Sequence, residues 1–545
     1  MATLAVLTNQ TGSRAAPHGS LRRLVPTVLV AAMLVPLLAG VITSLAASGA
    51  AYGQWWASAR GWSILVQTFQ LGALAATIAV ALAWLTACAL VRLPLRARIV
   101  LALVCGLPLL LPSSLLATAW IVALGREGAL TGLFRTVLGF WTWTIFDLPV
   151  AAAGIALRYF GLAVIILLFE CQRQQMTWPA ERLMAPALAW RWWHLRIRPA
   201  AAPLVVAWSL VFILAINDHI MPGMFLISTY GTQVLIQYSA LLDPAGAAAL
   251  AAPFAVLGLL PAWLVMRRRR GPAAQVGERL NLPAGASITN HAAQIAAVIA
   301  VLFVLAASMA VPFVVLVSRT ESVGDVVAAL VDAKDQVWQT LQHAAVGGTL
   351  AVLVAIPLAA DWVRSTRVGG ASVVPILIVN LAAPATLLGL GVVALTSHWP
   401  MTLWRDTSWP LTLTYAARFV PVAMLLLYAW WLHEDASPDR AARVYRVAPW
   451  RRWWHLVWPR RRTSILAAFV LSGLLIATEL EVANLLAPPG GSTLGVRLYT
   501  LIHTAPDEAV SALALGTIGL IAPLLILLVG LIVPRAVGGE RSTTR

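Results

Sequence analysis

Long apolar runs dominate this chain, separated by short stretches rich in arginine, glycine and proline. A run longer than ~18 residues with few charges has the length of a helix that crosses a membrane. Twelve candidates are predicted: Leu24–Ser48, Leu65–Val91, Ile99–Ala123, Val150–Phe169, Ala201–Ile216, Pro244–Met266, Ala292–Val317, Val337–Val363, Ala371–Ser397, Leu411–Leu432, Ser464–Leu486 and Ala509–Val533. With 545 residues, 60% hydrophobic and 11% charged, and a mean hydropathy of +0.84, the chain could not solvate that surface as a soluble domain. The expected fold is an all-α integral membrane protein of about twelve transmembrane helices.

Charge fixes the expected orientation. Lys and Arg number 38 against 21 Asp and Glu, an excess that in a soluble chain would suggest nucleic acid. With the N-terminus inside, 29 of the 38 fall in the alternate segments that would face the cytoplasm, leaving 9 for the spans and outer loops. Such a bias places both termini in the cytoplasm and accounts for the charge without nucleic acid. Arg14, Arg22 and Arg23 precede the first run, which is longer than a signal-peptide core and is expected to stay as a span. Cys88, Cys105 and Cys171 lack metal-ligand spacing and are expected to be packing residues, with no cofactor implied.

The chain also reads as two copies of one pattern. Thr68, Gln70, Thr77, Arg92 and Pro112 recur as Thr340, Gln342, Thr349, Arg364 and Pro384, a constant shift of 272. Arg158-Tyr159 recurs as Arg418-Phe419 after 260 residues. Arg182, Trp193-His194-Leu195, Thr232 and Tyr238 recur as Arg443, Trp454-His455-Leu456, Thr493 and Tyr499 after 261. Six spans per copy is an even number, so the copies are expected to be parallel repeats about an axis along the membrane normal. The predicted layout is a cytoplasmic N-terminus (1–23), a first half (24–266), a cytoplasmic linker (267–291) carrying Arg267 to Arg270, a second half (292–533) and a cytoplasmic tail (534–545).

One repeated feature is chemically unusual. WRWWHLRIRP at Trp190–Pro199 and WRRWWHLVWP at Trp450–Pro459 concentrate tryptophan and arginine in the longest inside loop of each half, between its fourth and fifth spans. A short helix at the membrane boundary, rings at headgroup depth and guanidinium groups in water, is one explanation. The second loop, RAARVYRVAPWRRWWHLVWP (Arg440–Pro459), also resembles the EAA loop of ABC importer permeases: Ala441 and Ala442 fill the alanine positions, Leu456 the bulky aliphatic and Pro459 the proline, at matching spacing. The family's glutamate position holds Arg440 and its glycine position Arg446. In the first loop those positions hold Pro179 and Ala185.

The fused two-half layout, together with Thr478–Leu501, is similar to the iron(III)/thiamine type of importer permease. The resemblance implies a coupling helix in each loop, facing the ATPase through Ala180, Glu181, Arg182, Trp190, Arg191 and His194 in the first copy. In the second it implies Ala441, Ala442, Arg443, Trp450, Arg451, Arg452 and His455. It further implies two cytoplasmic ABC ATPase subunits, a periplasmic solute-binding protein, a bacterial inner membrane, and ferric iron or, second, thiamine as solute.

Ionisable residues inside spans are candidates for a translocation path or gate. Asp218 corresponds to Glu479 and Arg158 to Arg418, while Asn217, Glu481 and Asn484 extend the set. Either these groups line a path suited to a cationic solute, or the carboxylates pair with the arginines near helix ends. No GxxxxGK[ST], HExxH or GxSxG sequence occurs in the chain, so it is expected to be no enzyme and to draw energy from a partner or an ion gradient. An ABC permease and a secondary transporter both meet that description.

Overall fold

The computed structural model describes residues 18–46, 57–124, 129–138, 148–177, 197–257, 259, 291–368, 379–398, 400–432, 434 and 437–543. The described residues are helical with no strand. In chain order the helices are α1 (His18–Ala46), α2 (Ala59–Leu90), α3 (Leu95–Cys105), α4 (Ser113–Leu124), α5 (Ala129–Leu138), α6 (Leu148–Thr177), α7 (Arg198–Asn217), α8 (Ile220–Met224), α9 (Tyr230–Ser239) and α10 (Pro244–Leu257). They continue with α11 (His291–Leu305), joined through a π turn to α12 (Val311–Ser318), then α13 (Val323–Asp332), α14 (Lys334–Val368), α15 (Ala385–Thr396), α16 (Trp409–Trp431), α17 (Ser437–Val444), α18 (Pro449–Arg452), α19 (Trp458–Ala477), α20 (Ala483–Leu486), α21 (Leu494–Thr504) and α22 (Asp507–Thr543).

Eight of the described helices are long and apolar enough to cross a membrane, so the protein is an all-α, multi-pass membrane protein. They coincide with eight of the twelve apolar runs. The other four are not among these eight. Ile99–Ala123 is folded through 90° between α3 and α4, and counts as a ninth span only if that bent pair is taken as one. The bend sits at Leu111-Pro112, where Leu111 is extended (φ −98°, ψ 143°), the conformation that a following proline imposes. Ala371–Ser397 ends in the short α15, which begins directly after Pro384. Pro244–Met266 appears as α10, and beyond Leu257 that run lies, Leu259 apart, outside the described residues. Ser464–Leu486 is interrupted: α19 starts earlier, at Trp458, carries Arg460 to Arg462 in its first turns, and stops at Ala477.

Two helix pairs pack most intimately, α2 with α6 and α14 with α16, and each takes a third helix, α7 and α19 respectively. Small residues permit the close crossings, as expected where lipid gives no hydrophobic drive between helices. Gly348 of α14 lies on Gly473 of α19, and a methyl group at Gly161 of α6 would overlap the Cys105 carbonyl. The sulfurs of Cys88 on α2 and Cys171 on α6 meet at 3.6 Å, a juxtaposition that sequence spacing could not show. The first helix of each half lies against the short helix of the other: α1 packs on α15, and α12 on α4. At the first crossing a methyl group on Gly391 would overlap the Pro36 carbonyl and the Gly40 nitrogen.

A pair of threonines ties the outer helices to the bundle. Thr68 Oγ1 accepts from the Tyr230 amide at 2.9 Å, and Thr340 Oγ1 from the Leu494 amide at 2.8 Å. Thr229 and Thr493 cap α9 and α21. These bonds set Thr229 beside Thr493, a spacing of 264, where the sequence pairs Thr232 with Thr493 and Tyr238 with Tyr499. The three extra residues are taken up by the turn Pro488–Gly491, where Gly490 has φ +73°. That left-handed backbone is accessible to glycine without Cβ strain.

Candidate functional site

Where α7 ends, its last residue Asn217 and the next two, Asp218 and His219, enter the region between the halves. Asp218 leaves helical geometry (φ −74°, ψ 103°), and its Oδ1 accepts from the Met221 amide at 3.2 Å, so the carboxylate caps the short α8. Glu479, two residues past the end of α19, makes the matching bond ahead of α20: both carboxylate oxygens accept from the Val482 amide at 3.1–3.2 Å. The match of Asp218 with Glu479 drawn from sequence is thus a match of local geometry, each acid bonded to the amide three residues on.

Their other partners differ. Arg158 of α6 donates from Nη1 to Asp218 Oδ2 at 2.7 Å and to the Tyr159 hydroxyl at 3.2 Å, with the Asp218 side chain fully buried. Arg418 of α16 reaches Glu481, not Glu479, with Nη2 3.7 Å from Oε2. The Tyr415 hydroxyl donates to the backbone oxygen of Glu479 at 3.2 Å. His219 of the first half stands 3.9 Å from Glu481 of the second, Nδ1 to Oε1. Glu481 is within electrostatic reach of His219, Arg418, Asp218 and Arg158 together. The two halves' charged groups therefore form one cluster.

Two asparagines stitch the same region. Asn217 Nδ2 donates across the halves to the Ala382 carbonyl at 3.1 Å, and Asn380 Nδ2 to Ala417 at 2.9 Å. Asn484, on α20, is half-buried and makes none of these contacts. Burying ions costs several kcal/mol apiece unless each is matched, so such a cluster is held by its pairing. Arg158 and Asp218 form a direct ion pair, whereas Arg418 is paired with Glu481. His219, Tyr159, Tyr415 and Asn380 were missed from sequence. His219 and Glu481 have no polar counterpart at Leu480 and Ile220, and a search for matched positions passes over them.

The second tryptophan–arginine loop is a helix–turn–helix. The helices α17 and α18 are joined through Arg446, whose φ of +53° lies in the left-handed region. That is the position at which the EAA pattern carries glycine. Holding a side chain with a Cβ in that conformation costs roughly 1–2 kcal/mol. From α18 the chain continues through a π turn, Trp453–Val457, into α19, so WRRWWHLVWP is a helical extension of that helix.

Trp450, Trp454 and Trp458, four residues apart, stack edge to face at 6.4 and 6.1 Å between ring centroids. Val444 and Tyr445, at the turn, are 78% and 81% exposed. Arg452 Nε lies 3.4 Å from Asp439 and braces α18 against α17. Arg461 pairs with Glu434 at 2.8 Å and covers the Trp431 ring at 4.1 Å. Ala441, Arg451 and His455 are exposed and Ala442 is half-buried; of Arg443 only the backbone, on α17, is described. Ala180, Glu181, Arg182, Trp190, Arg191 and His194 lie outside the described residues. The chain matches no family model, no curated protein and no solved structure.

Proposed function

We propose that this chain is the permease of an ABC importer, with both membrane halves fused, twelve spans in two parallel six-helix repeats, and both termini in the cytoplasm of a bacterium. In this reading two cytoplasmic ATPase subunits drive it, and a periplasmic solute-binding protein supplies the solute. The observation that carries it is the loop 437–459: two short helices joined by a left-handed residue at the glycine position of the EAA pattern, with an exposed tyrosine and tryptophan beside it. Aromatic and arginine side chains of that kind dominate protein interfaces.

The repeat reading draws support from the paired threonine bonds, the paired acid caps and the breaks at Pro112 and Pro384. The cluster around Glu481 joins the halves and stands as the path or its gate. Ferric iron first and thiamine second rest on the family resemblance alone. Arg158 engages Asp218, so the acids add no preference for a cation.

Changing both Arg451 and Arg452 to Glu tests the coupling role, since charge reversal at a partly desolvated contact costs several kcal/mol. ATPase co-purification, normalised to inserted permease, should fall at least several-fold. An unchanged ratio overturns coupling through this loop. The alternative, a secondary transporter, draws on the buried His219–Glu481 contact, a kind of pair found in proton relays. Uptake abolished by collapsing the ion gradient with ATP intact would favour it.

A further inference from the structure

The helix α13 connects two membrane-spanning helices and buries none of its side chains fully. Its sequence, VGDVVAALVD, places Val323, Val327 and Val331 four residues apart on one face, where they are 80%, 54% and 62% exposed. The rest of the helix is accounted for. Leu330 packs on Gly516 of α22, and Asp325 and Ser322 cap the N-terminus reciprocally. Asp332 pairs with Arg497 at 2.9 Å. Glu321, Asp325 and Asp332, with Glu508 of α22, line an open cleft of about 500 Å³ between the helices. One face is thus packed, one is acidic and open, and the valine face is uncovered.

The uncovered face does not stop at α13. Phe313, Val314 and Val317 of α12 precede it, and Trp338 and Leu341 of α14 follow it, all exposed. Exposed apolar side chains thus occur on three successive helices, more than a water-facing surface usually carries. The helices on either side, α12 and α14, belong to stretches long and apolar enough to cross a membrane, so the occupant argued for the exposed residues between them is lipid. We propose that α13 lies in the boundary of the bilayer as an interfacial helix, its valine stripe among the acyl chains and its acidic cleft in water. Trp338 then sits at headgroup depth, and Arg319 and Lys334, one just before the helix and one just after it, reach the phosphates. The acidic cleft gives no attraction to anionic lipid, so binding is apolar and zwitterionic phosphatidylcholine suffices. The leaflet, the outer one, rests on the orientation in the function proposed above; the contact with lipid does not.

A fluorophore on Val327→Cys, in full-length protein reconstituted into phosphatidylcholine vesicles, tests this. The unsubstituted chain serves as the labelling blank. Doxyl-labelled phosphatidylcholine should remove most of the signal and aqueous iodide little, with the reverse at Glu508→Cys in the cleft. Val323→Cys and Val331→Cys should follow Val327→Cys, which guards against one variant folding poorly. Quenching of the valine-site labels by iodide and not by doxyl lipid overturns the proposal. A membrane-impermeant thiol reagent on Glu508→Cys in intact cells reads the leaflet separately: failure to label there would overturn the outer placement and the proposed orientation, leaving the lipid contact intact.

Discussion

His219 and Glu481 face each other across the two halves of the chain, Nδ1 3.9 Å from Oε1, and neither has a polar counterpart in the other copy. Glu481 also holds Arg418, at 3.7 Å. Changing Glu481 to Gln removes a half-buried charge that faces two groups, a loss between those of exposed and buried pairs, about 1–3 kcal/mol. Thermal unfolding in detergent should move to clearly lower temperature. A midpoint equal to that of the parent would show that the cluster does not hold the halves together.

The pair of Arg158 and Asp218, at 2.7 Å, allows a cleaner separation of pairing from burial. Arg158→Met leaves a fully buried carboxylate alone and should destabilise by about 3–5 kcal/mol, whereas Arg158→Met with Asp218→Leu removes both charges and should recover much of the loss. The double-mutant cycle is read by chemical unfolding. Additive losses would show that the two side chains act independently.

At Arg446 the backbone, not the side chain, is the constraint. Arg446→Gly should stabilise the loop by about 1 kcal/mol because glycine enters the left-handed region without Cβ strain, and Arg446→Val should destabilise it. Limited proteolysis of residues 437–459 measures both. Equal cleavage rates for the three proteins would remove the turn as a point of strain.

The Cys88 and Cys171 thiols, 3.6 Å apart, should cross-link when the purified protein is treated with copper phenanthroline, each sulfur giving up one electron and one proton to the oxidant. Peptide mapping should recover the 88–171 disulfide, absent in Cys88→Ser. Recovery of both peptides in reduced form would contradict the contact between α2 and α6.

Hydropathy alone located eight long apolar helices, because a membrane demands length and apolarity whatever the tertiary structure. Two of the other four runs break at proline. Leu111-Pro112 and Pro384 break helices inside runs that remain apolar, so composition cannot register the bend, although the repeated proline held the clue. Asp218 and Glu479 were legible as a matched pair because the same cap is built twice. Their different arginine geometry was not, since Glu481 lies two residues away and the side-chain reach that selects it depends on packing. At Arg446 sequence spacing marked the position, and only the backbone angle revealed the turn.

The crossing of α1 over α15, locked where Gly391 meets Pro36 and Gly40, has a consequence for how the protein is made. The residues in contact are separated by about 350 positions, which a ribosome adding roughly 5–20 residues per second takes about 20–70 s to span. Throughout that interval α1 has no partner at this glycine crossing. Assembly is therefore closed by the second half of the chain. The crossing itself can form only after translation has delivered α15.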